Sequence, residues 1–192
     1  MMLLLCSVAA AGAETQHWIA TPNETIWHGE YTNCDYGYAV GLPTGVIAHS
    51  DLPPSPNHGF LISAADPATI QKVGLENQRL VDVYAEYDAL GLGGARAYLK
   101  WELQQDRDKK ILQIKDIMFQ GLRAVRARYR VNTRNSSGLI EQLILFRKSA
   151  GIVYVIMLRT TARDHAADSE LFTRLQAGFH LLPIPKGQCL NP

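Results

Sequence analysis

Four successive runs in the second half of the chain show the clearest strand pattern: residues 111–119, 122–131, 139–147 and 152–160. Turn-forming residues separate the second run from the third and the third from the fourth, at 132–138 and 148–151. Because such short links join antiparallel neighbours, the pattern predicts an antiparallel sheet. The last two runs are apolar on both faces, which predicts central strands that are covered on both sides.

The first half of the chain predicts shorter strands and one long loop. Val81, Val83 and Ala85 alternate with more polar residues, which predicts a strand over 81–87. The loop is residues 51–59, whose three prolines cannot donate hydrogen bonds to a sheet. Shorter apolar runs predict three further strands, at 35–40, 46–48 and 60–62.

Two segments have helical spacing. Leu99 and Leu103 stand four residues apart in an amphipathic segment at 95–109. A second helix is predicted to begin at Asp168 or Ser169, acting as its cap, and to end at 181–183. Its apolar stripe consists of Leu171, Phe172, Leu175 and Phe179. The fold class is therefore α+β, with a single domain at 35–192 preceded by an arm at 14–34 that shows little periodicity.

The N-terminus predicts export. Residues 1–13 form an apolar run that ends in Ala11-Gly12-Ala13, a signal-peptide cleavage pattern, although no Lys or Arg precedes the run. A buried N-terminal strand or helix is the alternative, and the run is too short to span a bilayer. Cleavage leaves Cys34 and Cys189, which we expect to form a disulfide in the periplasm or outside the cell, unless they are two separate buried thiols.

A row of arginines is the main local anomaly in charge. The net charge is only +1, so no global field attracts nucleic acid or an anionic membrane. On a strand, Arg126, Arg128 and Arg130 point to one face at about 7 Å intervals. Guanidinium groups in such a row suit carboxylate or phosphate, which predicts a surface for an acidic partner. The alternative is a strand face neutralised by salt bridges to Glu141 and other acids, or a charged edge that prevents aggregation.

Catalytic and metal-binding signatures are missing from the sequence. It has no G-x-S-x-G, Walker or H-E-x-x-H motif, and its six histidines lack metal-ligand spacing. Two weak candidates are His165 with Asp164 and Asp168 as a metal site, and Asp51, His58 and Asp66 as an acid–base set. A polar loop before a helix explains the first set better. We therefore expect no enzyme activity, no metal and no cofactor.

Three segments resemble the PsbP-like family. They are Tyr36-x-Tyr38-x-Val40-x-Leu42-Pro43 as an opening strand with a proline turn, Ile152–Ile156 as a central strand, and Leu171–Phe179 as a closing helix. The resemblance spans roughly residues 35–182 and rests on core positions. It implies an antiparallel sheet flanked by helices, an α/β/α sandwich, and a non-catalytic surface that binds or helps to assemble another protein. It transfers no binding residue.

The sequence thus favours an exported, non-enzymatic protein-binding or accessory module of the cell envelope. The first alternative is a carrier of a small apolar ligand, with a pocket between the sheet and the 95–109 helix lined by Tyr84, Tyr87, Tyr98 and Trp101. A small envelope hydrolase that uses scattered His and Asp residues is the second alternative.

Overall fold

The computed structural model describes residues 24–51, 58–63, 79–105, 108–132 and 137–184. Two helices occur in this part of the chain, α1 (Ala95–Gln105) and α2 (His165–Gly178). The strands are β1 (Glu24–Trp27), β2 (Glu30–Asn33), β3 (Tyr38–Gly41), β4 (Ala48–Asp51), β5 (Gly59–Ser63), β6 (Leu80–Tyr87), β7 (Lys109–Phe119), β8 (Leu122–Asn132), β9 (Ser137–Arg147), β10 (Ile152–Thr160) and β11 (Phe179–Leu181).

An eight-stranded antiparallel sheet forms the centre of the molecule, in the order β1-β4-β5-β6-β10-β9-β8-β7. The four strand runs predicted in the second half of the chain are confirmed, each within two residues at either end. Strands β9 and β10 lie in the interior of the sheet, as their apolar composition predicts. A second antiparallel sheet has three strands in the order β11-β3-β2.

Each face of the large sheet has its own hydrophobic core. On one face, here called the α1 face, α1 packs Leu99 against Ile144, Val153 and Val155. On the other, the α2 face, both α2 and the three-stranded sheet contribute side chains. The predicted sandwich is therefore seen in part, since a helix alone covers the α1 face whereas a helix and a small sheet share the α2 face.

Aromatic side chains hold the small sheet against the large one. Tyr38 stacks on Phe179 and meets Tyr154 edge-on, with ring centroids 5.7 and 5.6 Å apart. All three side chains are essentially buried, and burial of each contributes about 2–3 kcal/mol. The Tyr154 hydroxyl donates to the Tyr36 carbonyl at 2.8 Å, so it is satisfied inside the core. The Tyr-x-Tyr pattern of the opening segment thus sets the contact between the sheets.

Three element predictions are corrected. Part of the expected arm at 14–34 forms strands, β1 in the large sheet and β2 in the small one. Helix α2 ends at Gly178 rather than at 181–183, because Phe179–Leu181 pair with β3 as β11. It begins at His165, with Asp164 at the cap position, rather than at Asp168 or Ser169. The reason is that the Asp168 carboxylate accepts hydrogen bonds from Arg79 and Thr160 and so joins the helix to the sheet.

Several predictions fall outside the described residues. They concern residues 1–13, most of the proline loop and Cys189, which the structure does not describe. The signal peptide, the domain bounds and the Cys34–Cys189 disulfide therefore stay predictions.

Helix α2 ends where it touches β3, and this contact requires glycine. A Cβ atom on Gly178 would lie 2.5 Å from the carbonyl oxygen of Gly41, which is backbone and cannot swing away. We expect Gly178→Ala to lower the free energy of unfolding by about 2–3 kcal/mol, measured by urea denaturation. A Cβ on Gly94 would meet no atom within 4 Å, so Gly94→Ala is the matched control with a change below about 0.5 kcal/mol. Equal effects would contradict the packing argument.

A basic face on the outer strands

The structure places the three predicted arginines on one face of β8. Val125, Ala127 and Tyr129 point into the core of the α1 face, so Arg126, Arg128 and Arg130 project from the α2 face. Helix α2 packs mainly against β10 and β3, and it contacts this part of β8 through Gln176, which accepts from Arg126. Arg126 and Arg130 are exposed, whereas Arg128 is partly buried.

Strand β7 adds two lysines to the same surface. Lys110 lies directly opposite Arg130 in the register, and Lys115 lies directly opposite Arg126. Opposed residues on antiparallel neighbours share a face, with Cβ atoms about 5 Å apart. We call the resulting surface the basic face; its five cations are Lys110, Lys115, Arg126, Arg128 and Arg130.

One member of the basic face has a structural partner. Arg128 donates to the carboxylate of Glu141, which is buried to 9% exposure on β9. The same carboxylate oxygen lies 3.3 Å from His165 Nε2 at the start of α2. The salt-bridge interpretation of the arginine row therefore holds for Arg128, which bridges β8 to a buried acid.

The remaining cations are free of acids. Arg126 donates to the side-chain oxygen of Gln176 on α2 at 2.7 Å, and this partner is neutral. Among the described side chains, none forms an ion pair or hydrogen bond with Lys110, Lys115 or Arg130, and all three are exposed. Four of the five cations are thus available to an anionic ligand.

The candidate metal site around His165 does not assemble. Asp164 accepts from Thr161 and Arg163, and Asp168 accepts from Arg79 and Thr160, so both carboxylates are engaged elsewhere. Over the described ranges, no group of three or more His, Cys, Asp or Glu residues is placed to hold a metal ion.

His165 also contacts Ser169 at 3.2 Å, but through Nε2, the nitrogen that faces Glu141. A nucleophile–base–acid relay needs the two ring nitrogens to face different partners, so this arrangement does not form one.

The acid–base set of Asp51, His58 and Asp66 is placed only in part. His58 Nδ1 lies 3.0 Å from the carbonyl oxygen of Ala85 and 3.2 Å from the Tyr36 hydroxyl. These contacts anchor the imidazole between β6 and the segment before β3. Asp66 and the side chain of Asp51 lie outside what the structure describes.

The four aromatic residues predicted to line a carrier pocket do not lie on one face. Tyr84, Tyr98 and Trp101 pack into the core beneath α1, and Tyr87 lies on the opposite face of β6, against Tyr36. A cavity of about 1160 Å³ lies instead at the N-terminal end of α1. Its lining includes Arg96, Met118, Arg123, Phe146 and Lys148.

A half-buried carboxyl on the α1 face introduces a pH dependence. Burial raises the pKa of Asp82 from 3.8 to about 6, and the nearby Arg159 only partly offsets this. The folded protein thus binds more protons than the unfolded chain between about pH 4 and pH 6. The contribution to stability is fully present below pH 4 and is lost as pH rises through 6.

We expect Asp82→Asn to flatten the dependence of unfolding free energy on pH between about 4 and 6. At higher pH the variant is expected to be more stable than the parent by up to about 3 kcal/mol, because no charge is then buried. Urea denaturation at several pH values measures both effects. A parent-like slope in the variant would show that another group titrates.

Neither helix of the described residues is long and apolar enough to cross a membrane.

The comparisons with known proteins show a fold. No family model and no curated protein matches the sequence. The solution structure of the cyanobacterial PsbP protein CyanoP from Synechocystis sp. PCC 6803 is similar with a TM-score of 0.52 at 15% identity, covering 85% of this chain and 95% of that one. LpqN, involved in cell envelope biogenesis of Mycobacterium tuberculosis, gives 0.42 at 12% identity, covering 86% and 88%. A Pseudomonas aeruginosa protein of unknown function gives 0.49 at 16% identity, covering 78% and 99%. The PsbP-like resemblance is thus confirmed as a likeness of fold.

Proposed function

We propose that this protein is an exported, non-enzymatic accessory module that binds an acidic partner protein on its basic face. The observation that carries the proposal is the pair of like-charge oppositions, Lys110 with Arg130 and Lys115 with Arg126. Directly opposed like charges destabilise a sheet, so packing alone does not account for them.

Protection of an edge accounts for only half of the surface. Lysines on an outer strand deter unwanted pairing, and β7 is such a strand. Strand β8, however, is already paired on both sides, by β7 and β9. Arg126 and Arg130 on β8 therefore need another explanation, and an acidic ligand that relieves the repulsion supplies one.

The chemistry of the basic face favours carboxylates. Guanidinium forks bind carboxylates through two hydrogen bonds, and the spacing of about 7 Å along β8 matches alternate residues of an extended chain. Single-stranded nucleic acid binding relies on aromatic platforms between the cations. The tyrosine of this segment, Tyr129, is instead buried on the α1 face.

Export rests on the sequence. The apolar run at 1–13 with its cleavage pattern, and the two cysteines Cys34 and Cys189 that remain after cleavage, favour a periplasmic or secreted protein. Intact mass of the purified protein, with and without reduction and alkylation, tests both features. A mass that retains residues 1–13, or two free thiols, would contradict this part of the proposal.

Capture of a partner from the cell-envelope extract tests the binding function. We expect Arg126→Ala combined with Arg130→Ala to reduce capture about tenfold or more, because both arginines are exposed and neither neutralises a buried acid. The control variant replaces the exposed cations Lys100 and Arg123, which lie off the basic face and lower the net charge equally. Equal loss of capture in both variants would show that the effect depends on net charge alone. Unaltered capture by the Arg126 and Arg130 variant would remove the basic face from the proposal.

A small-ligand carrier is the second candidate, carried by the cavity at the N-terminal end of α1. Its volume suits a small organic molecule. Native mass spectrometry of the purified protein tests it: a bound ligand that Phe146→Trp displaces would support a carrier, and a ligand-free protein would leave it without support.

A further inference from the structure

The outer edge of β7 is a long strand edge that no other described strand pairs with. Strand β7 has eleven residues and ends the eight-stranded sheet, so among the described strands only β8 pairs with it. The backbone groups on its other side therefore face away from the sheet. Such an edge is a template on which an extended segment of another chain can add a strand.

Apolar side chains are concentrated on this strand. Among the described residues, six large hydrophobic side chains are exposed, and three of them belong to β7: Ile111 at 52%, Leu112 at 45% and Met118 at 66%. Ile111 and Met118 lie opposite Tyr129 and Arg123 in the register, which places both on the α1 face. Strand β7 thus exposes Ile111, Met118 and the arginine-paired Asp116 on its α1 face, and Lys110 and Lys115 on its α2 face.

The two faces of β7 specify the two faces of an incoming strand. On the α2 face, alternate residues of that strand would approach Lys110, Lys115 and the arginines behind them. On the α1 face, its other residues would approach Ile111, Ile114 and Met118. Asp116 on the same face is paired with Arg96, whose Nη2 lies 2.7 Å from the Asp116 Oδ2. The complementary sequence alternates acidic and apolar residues.

A second copy of this chain does not meet the requirement. Pairing of β7 with the β7 of another molecule would bring lysine-bearing strands together on the same face, which is unfavourable. The lysines thus select against self-association while favouring a strand of opposite charge.

We propose that the partner's binding segment is an extended stretch of alternating acidic and apolar residues that adds to the outer edge of β7. This inference rests on the proposed function, because it identifies how the basic face recognises an acidic protein. The recognised part of β7 runs from Lys110 to Met118 and crosses the irregularity between Ile111 and Gln113. Those nine residues extend about 30 Å and would pair with about nine residues of the partner.

The probe is a fluorescent peptide of about nine residues that alternates glutamate and valine, titrated with the protein at low and at physiological ionic strength. Three peptides are controls: alternating lysine and valine, a block peptide with the glutamates in one half and the valines in the other, and the parent peptide with N-methylated backbone at every second residue. Two N-methylated peptides are made, one for each set of alternate residues, because one set of amides faces β7 and the other faces away.

We expect the parent peptide to bind at least about tenfold more tightly than the lysine peptide and the block peptide. N-methylation of one set of alternate residues is expected to weaken binding about tenfold, and N-methylation of the other set much less, because the hydrogen bonds between the strands come from alternate residues. Lys115→Glu is expected to reduce the preference for the glutamate peptide over the lysine peptide, with Lys100→Glu as the control.

Two results would overturn the inference. If both N-methylated peptides or the block peptide bind as well as the parent, acids bind the basic face without strand addition, and the proposed function survives alone. If no peptide binds although the envelope partner is captured through Arg126 and Arg130, the partner binds the basic face without adding a strand to β7. If the unsubstituted protein captures no partner and binds no peptide, both proposals are contradicted.

Discussion

Replacement of Lys110 and Lys115 with glutamate is expected to make the protein more stable and to make it a worse binder of acidic partners. Each glutamate would lie opposite an arginine on β8, Arg130 or Arg126, and so convert a repulsive cross-strand pair into an attractive one. Opposed ion pairs contribute about 0.2–1 kcal/mol each, and the removed repulsion adds a similar amount. The double variant is expected to gain about 1–2 kcal/mol in urea denaturation.

Capture of the acidic partner by the same variant is expected to fall about a hundredfold, because the net charge of the site falls by four units. The matched control combines Lys100→Glu with Arg123→Glu, which lowers the net charge by the same four units at exposed cations and leaves the basic face intact. A gain in stability with unchanged capture would mean that the opposed cations have no binding role. A loss in stability would mean that the repulsion is already relieved in the folded protein.

Arg128→Ala is expected to behave in the opposite way and to lower the free energy of unfolding by about 2–4 kcal/mol. Its guanidinium is the main partner of Glu141, whose carboxylate is nearly inaccessible to solvent. Removal of one member of such a pair leaves a buried charge uncompensated, which is costlier than loss of the pair. Among the described side chains, His165 is the other possible cationic partner of this carboxylate, and it is charged only when protonated.

The partial rescue by Glu141→Gln tests this mechanism. In the background of Arg128→Ala, the glutamine removes the uncompensated charge, so we expect recovery of at least about 1 kcal/mol. Arg130→Ala is the control, because its side chain is exposed and its loss is expected to change stability by less than about 0.5 kcal/mol. Equal destabilisation by the two arginine variants would contradict the distinction between a structural and a binding arginine.

The sequence predicted the arginine row but not the lysines that complete the basic face. Arg126, Arg128 and Arg130 are separated by two residues, so their common face follows from the pleat of a strand. Lys110 and Lys115 are five residues apart, an odd number that puts side chains on opposite faces of a regular strand. The irregularity between Ile111 and Gln113 changes the parity and brings both lysines to the α2 face. A period of two gives no sign of such an irregularity.

The long strands could be predicted because their apolar residues alternate or continue over nine residues or more, whereas the four-residue strands β1 and β2 have too few positions to show a period. The cap of α2 was misplaced for a different reason. Asp168 is a good capping residue in isolation, but Arg79, far away in the sequence, engages its carboxylate. The aromatic residues around α1 were also ambiguous, because the same composition serves a core or a pocket.

Strands β1 and β2 follow each other across only His28 and Gly29, yet they belong to different sheets. Between them, Trp27 packs edge-on against the buried Tyr31, with ring centroids 4.9 Å apart. A shortened chain that begins at Asp35 would therefore lose one outer strand from each sheet at once and would leave the flanks of β4 and β3 open to pairing. Residues 24–33 connect the two sheets at their outer strands, and a soluble fragment for structural work needs to retain them.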